Sequence, residues 1–399
     1  MRRRNFISNT VLTSSSLWVP SFIRNINRSN KNIPLSGSKT LIIIQLSGGN
    51  DGLNSLIPTR NDLYYKYRPT IAISPGAAIQ LTDDYGLNPA LKELADLFND
   101  GDLSIINGVG YPNPDRSHFR SMDIWQTGRL GDDRMQTGWL GRYLDSECAG
   151  CNRSYKAIEI GDELSLALKG NNRDGFAMRG PQKLQQAIEN NFLLKLGGDH
   201  KMQHEHHPID YLYKTMIEVQ ESARYLAEKA RTGRSKLDYP NSNFGQGLKQ
   251  IAELMIAGTD TSIYYINLPG FDTHTQQKAR QESLLKLYAQ GVNTLIKDLK
   301  LYGLFQDTLI MTFSEFGRRV QENGSMGTDH GTANQVWMMG GQLKRPGLYN
   351  DGPSLIDLDQ GDLKFEIDFR SIYANVLEDW LQTDAEPILG THPPKILAV

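Results

Sequence analysis

A chain of 399 residues can hold one large domain or two ordinary ones and bury a substantial core. Apolar residues make up 39% and charged residues 22%, as in folded water-soluble domains, and a net charge of −2 offers no basic surface to nucleic acid or an anionic membrane. No run of eighteen apolar residues occurs, so no transmembrane segment is expected.

The N-terminus differs from the rest. Arg3-Arg4-Asn5-Phe6-Ile7 fits the twin-arginine export pattern, and a mildly apolar Ser/Thr-rich run and a polar linker follow. Residues 1–38 are therefore expected to be signal and linker of an exported, periplasmic protein. Residues 39–399 are expected to form a single α/β domain with a helical insertion at about 170–258. Cys148 and Cys151 form one C-x-x-C without a second, which leaves a loop disulfide and two unpaired thiols equally open.

In chain order, TLIIIQL is a near-continuous β-branched run, the mark of a central parallel strand, and it breaks into a Gly-rich loop. A helix over 89–99 follows, capped by Asn88 with Pro89 in its first turn. LSIINGVG (103–110) reads as a second strand, and DRSHFRSMDIWQTG and MQTGWLGRYLDSE read as helices. Amphipathic stretches near 181–195, 209–231 and 243–257 make the middle mostly helical. SIYYINLPG (262–270), TLIMTF and QVWMMGG (335–341) read as strands, 276–300 as a long helix and RSIYANVLEDWL as a late one. Strands alternating with helices define an α/β fold with a mainly parallel sheet, in which ligands bind beyond the carboxyl ends of the strands.

The unusual polar residues fall at those ends. SGGNDG carries Asp51, and PDRSHF carries Asp115, Ser117 and His118. GFDTH carries Asp272 and His274, SEFGRR carries Glu315 and Arg318, and GTDHG carries Asp329 and His330. Carboxylates together with imidazoles are what Zn, Mn, Ca or Mg ions take in differing proportions. Each piece also has a plain reading: Asp51 in a turn, Ser117 or Asp115 as a helix N-cap, Arg318 in a solvated pair. Their coincidence at strand ends favours a site. The four histidines between His200 and His207 read instead as a solvated linker.

The motifs LSGGNDGLN, SHFRSMDIWQTG, GFDTH, TFSEFGRR and GTDHGTAN, behind a twin-arginine leader, resemble the exported bacterial proteins of domain-of-unknown-function family 1501. That family is grouped with the alkaline phosphatase, sulfatase and phosphoglycerate mutase superfamily. The resemblance implies an alkaline-phosphatase-like fold, one or two divalent metal ions and hydrolysis of a phosphate or sulfate ester in a small molecule or glycan. It implies Asp51, Asp272, His274, Glu315, Asp329 and His330 as metal ligands and Ser117 as nucleophile, with a metal-activated water as the other possibility. Arg318 is expected to clamp a substrate oxygen, and His118 to act as acid or ligand. Two features depart from the superfamily pattern. Phe316 stands where a ligand His is usual, and neither C-x-P-x-R nor S-x-P-x-R occurs, which argues against a formylglycine sulfatase. A non-catalytic binding or scaffold protein with a partly decayed metal site is the alternative.

Overall fold

The computed structural model describes residues 39–131, 135–147, 154–180 and 220–399. The twin-arginine leader, both cysteines, the histidines at 200–207 and the stretch at 181–195 lie outside the described residues. Fourteen short and long strands occur in the described chain: β1 (Thr40–Ser47), β2 (Leu56–Pro58), β3 (Ile79–Gln80), β4 (Tyr85–Leu87), β5 (Leu103–Gly110), β6 (Ala157–Ile160), β7 (Phe176–Met178), β8 (Ile263–Pro269), β9 (Thr308–Phe313), β10 (Asn334–Gly340), β11 (Gly347–Leu348), β12 (Leu358–Asp359), β13 (Asp362–Leu363) and β14 (Ile367–Asp368). Nine form one sheet in the order β11-β5-β10-β9-β1-β8-β6-β7, with β14 also on β5. Every pairing in it is parallel except those of β10, which runs antiparallel to β5 and β9. The mainly parallel α/β class expected from the sequence is thus observed.

The apolar run of β1 is buried on both faces because alternate side chains feed two separate cores. Ile42, Ile44 and Leu46 pack with the helices Asn243–Ile256 and Gln277–Leu301. Leu41 and Ile43 pack with Trp125, Trp139 and Phe369 from helices on the opposite face. The helix expected at 89–99 begins as a 3₁₀ turn, Pro89–Leu91, and continues as Lys92–Asn99. Asn88 caps it by accepting from the Ala90 N–H at 3.0 Å. Around residue 170 the expectation of helix gives way to β7, and β6 is a strand the sequence reading missed.

This topology fixes one working edge. The carboxyl ends of β1, β5, β8 and β9 lie together, and antiparallel β10 starts there, with Asn334 opposite Val109. The GTDHG loop, just ahead of β10, therefore arrives at the same edge as the loops that leave the parallel strands.

Candidate metal centre

The loop after β8 and the loop before β10 supply most of the cluster. Asp272 and His274 follow β8 by a few residues, while His330 precedes β10. An isolated antiparallel bridge pairs His330 with Arg318. Gly331 N donates to Gly317 O at 2.9 Å, and Arg319 N to Asp329 O at 3.0 Å. The glycines of GTDHG serve that stitching. A Cβ on Gly327 would sit 2.3 Å from the His274 carbonyl oxygen, and one on Gly331 would sit 2.5 Å from the Arg318 carbonyl carbon. They let the backbones of these loops come together.

Three imidazoles converge on one carboxylate oxygen. His274 Nε2 lies 3.0 Å, His330 Nε2 3.2 Å and His118 Nε2 3.7 Å from Asp272 Oδ1. His274 Nε2 and His330 Nε2 are 3.0 Å apart. His118, Asp272 and His330 form the one group of three or more potential ligands among the described residues, all within 4.8 Å of one another. His274 adjoins it through Asp272 and His330.

The outer nitrogens define what the inner ones can do. His330 Nδ1 is 2.8 Å from the Arg116 carbonyl oxygen, which can only accept, so this nitrogen carries the hydrogen. His274 Nδ1 faces Asp329 Oδ1 at 3.0 Å, and His118 Nδ1 faces Glu315 Oε1 at 2.8 Å. In the neutral imidazoles all three Nε2 atoms are then bare lone pairs, turned toward a carboxylate oxygen and toward one another. Lone pairs facing at 3 Å repel until a proton or a cation enters. His118 Nε2 is also buried with no hydrogen-bond partner. Bond lengths of about 2.0–2.1 Å put tetrahedral zinc ligands roughly 3.3 Å apart, which is the range of the Asp272 contacts. The residues present therefore fit a divalent cation held by His118, Asp272, His274 and His330.

The local electrostatics favour the ligating forms of Asp272 and His330, while His118 is held toward the imidazolium, whose proton a cation would displace. Burial tends to raise the Asp272 carboxyl, but the hydrogen bond and charge of the Arg318 guanidinium, with the imidazoles close by, outweigh it and bring the carboxyl down to about 2. The hydrogen bond from His274 lowers Asp329. The Glu315 hydrogen bond raises His118, whereas burial lowers His330 and favours its neutral, ligating form. Asp272 remains about half exposed, so the cluster opens to solvent.

The remaining expected site residues fall elsewhere. Asp51 lies outside the cluster. Its buried Oδ2 pairs with Arg68 Nη1 at 2.5 Å and accepts from Gln277, and its Oδ1 has no partner. Arg68 is itself fully buried and bonded to the Val320 and Arg319 carbonyls. Glu315 is also outside: it accepts from Gly48 N at 2.8 Å and orients His118. Asp329 orients His274. The Phe316 ring packs 4.8 Å from the rings of both His118 and His330, and His118 adds an imidazole to the cluster.

Arg318 differs most from expectation. Its side chain is wholly buried and bonds the carbonyls of Gly49, Thr328, Gly48 and Phe271, at 2.7, 2.8, 2.5 and 3.0 Å, and Asp272 Oδ1 at 2.8 Å. It ties three loops together and holds the carboxylate. Ser117 occupies the N-cap of the helix His118–Thr127, is exposed, and makes no side-chain capping bond; the Asp115 carboxylate instead accepts from the Ser117 N–H at 2.7 Å. Arg68 and Gln277 are the residues the sequence reading missed. Gln277 stands in the GFDTHTQQ motif, while nothing local marks Arg68.

A mainly parallel α/β fold with a His/Asp cluster at the carboxyl edge of its sheet describes the class of the molecule. The chain belongs to the family described as "Protein of unknown function (DUF1501)", whose model matches residues 38–358. No curated protein matches it. Among solved structures it is similar to the PsFucS1 sulfatase from Pseudoalteromonas sp., with 11% identity, 92% of this chain and 70% of that one covered, and a TM-score of 0.41. It is also similar to the C-terminal periplasmic domain of EcEptC from Escherichia coli (10%, 92% and 91%, 0.38). The phosphonate monoester hydrolase SpPMH from Silicibacter pomeroyi is a further match (11%, 90% and 78%, 0.37). Likeness this distant says nothing about activity.

Proposed function

We propose that the protein is a metal-dependent hydrolase of phosphate or sulfate esters. The observation that carries this reading is the set of three imidazole Nε2 atoms around Asp272 Oδ1, each imidazole oriented from behind by an oxygen acceptor. A divalent cation bound by His118, Asp272, His274 and His330 would neutralise charge on the ester and make a nearby hydroxyl easier to ionise. Ser117 is the nucleophile in this reading, because its hydroxyl is exposed, not engaged in capping, and adjacent to a ligand histidine. The N-terminus of the helix His118–Thr127 adds backbone N–H groups that favour an anion. Glu315 and Asp329 keep His118 and His274 in the ligating tautomer. Arg318 keeps Asp272 ionised.

We also propose export by the twin-arginine route from Arg3-Arg4; no described helix is long and apolar enough to cross a membrane. The catalytic reading is tested with Ser117→Ala on a panel of aryl phosphates, sulfates and phosphonates. The expected result is a fall in kcat of at least about a hundredfold with metal content unchanged. Unchanged turnover would remove Ser117 and leave water as the nucleophile, and no turnover by wild type on any ester would sink the hydrolase reading.

A further inference from the structure

A cavity of about 290 Å³ shares a wall with the metal centre. Glu315 and Phe316 form that wall, and Asp115, two residues before Ser117, lines the cavity as well. Its volume is at the lower end for ligand sites and suits one ring-sized group. The other walls include the aromatic side chains Tyr111, Trp125 (itself stacked on Phe313 and Phe369) and Phe365, with Asp359 and Lys364 from the segment that carries the β12–β13 hairpin. The lining carboxylates outnumber the one lysine, and Lys364 is ion-paired with Asp357. Such walls repel a second anionic group. Carboxylates accept hydrogen bonds from hydroxyls, and aromatic side chains give the apolar carbons of a ring a surface to pack on.

We infer that this cavity receives the alcohol half of the ester, as a single neutral hydroxylated ring of the monosaccharide type. The inference rests on the hydrolase reading for the words "alcohol half", but the binding itself does not need the metal. The full chain, stripped of metal by dialysis against a chelator, is titrated calorimetrically with the methyl pyranosides of glucose, galactose and mannose, with methyl galacturonoside as the anionic probe and 4-nitrophenol as the aryl probe. At least one neutral pyranoside is expected to bind, about tenfold more tightly than the anionic and aryl probes, as one well-placed hydrogen bond or one repelled charge implies. Asp359→Ala, at an exposed position that does not threaten folding, should weaken it severalfold, and Phe365→Ala should do so through lost ring contact. The inference is overturned if no neutral pyranoside binds, if the anionic or aryl probe binds best, or if both variants bind like wild type. Binding without ester turnover would leave the cavity assignment standing and remove the hydrolase reading; turnover without pyranoside binding would do the reverse.

Discussion

Replacing Arg318 by lysine separates a structural anchor from a substrate clamp. The guanidinium makes five hydrogen bonds from three nitrogens, four to backbone carbonyls and one to Asp272, in a fully buried position. An ammonium has three donors radiating from one atom, so at least two of those acceptors lose their partner. At about 1–3 kcal/mol for each buried polar group left unpaired, Arg318→Lys should cost about 2–6 kcal/mol, a fall in melting temperature of roughly 3–8 °C for a domain of this size. The assay is thermal unfolding of both proteins in chelator, so that bound metal does not contribute. A variant that melts within about 1 °C of wild type while losing ester turnover would refute this reasoning and restore Arg318 as a group acting on substrate.

Two further outcomes are expected. Glu315→Gln keeps an acceptor for Gly48 N but removes the charge behind His118, and metal affinity measured by competition with a chromophoric chelator should fall about 10–100-fold with the fold intact; unchanged affinity would mean that His118 is not a ligand. Glu159 is buried beneath Ser165, and burial raises its carboxyl above 4.5, so the native state holds that proton more tightly than the unfolded chain. Its contribution to stability is full below pH 4.5 and is lost as pH rises through the raised value. The melting temperature of wild type minus that of Glu159→Gln should therefore be greatest near pH 4.5 and shrink toward pH 8; a gap that grows with pH would contradict the assignment.

The parts of the fold legible in the sequence were those with long uniform signals. The run of β1 and the 25-residue helix Gln277–Leu301 are long enough for pattern to decide them. β6 and β7, of four and three residues, are too short to show a period, and β10 announces itself as a strand but not as the antiparallel one. For the candidate site, strand-end position pointed to Asp272, His274, His330 and His118, which the structure brings together. It could not rank carboxylates that arrive at the same edge. Asp51 is drawn aside by Arg68, seventeen residues away, and Glu315 by the backbone of Gly48 and the imidazole of His118, all partners set by tertiary folding. Arg318 is expected from the sequence to clamp a substrate oxygen, because a single sequence does not reveal that its guanidinium is buried among backbone carbonyls.

The most direct test is metal content, by elemental analysis of untagged wild-type protein beside His330→Ala, each after reconstitution and desalting. About one equivalent of a divalent metal is expected in wild type and its loss in the variant, because in the proposed site His330 Nε2, 3.0 Å from His274 Nε2 and 3.2 Å from Asp272 Oδ1, would be one of the ligands. Wild-type protein that retains no metal, or a variant that retains as much as wild type, would contradict it.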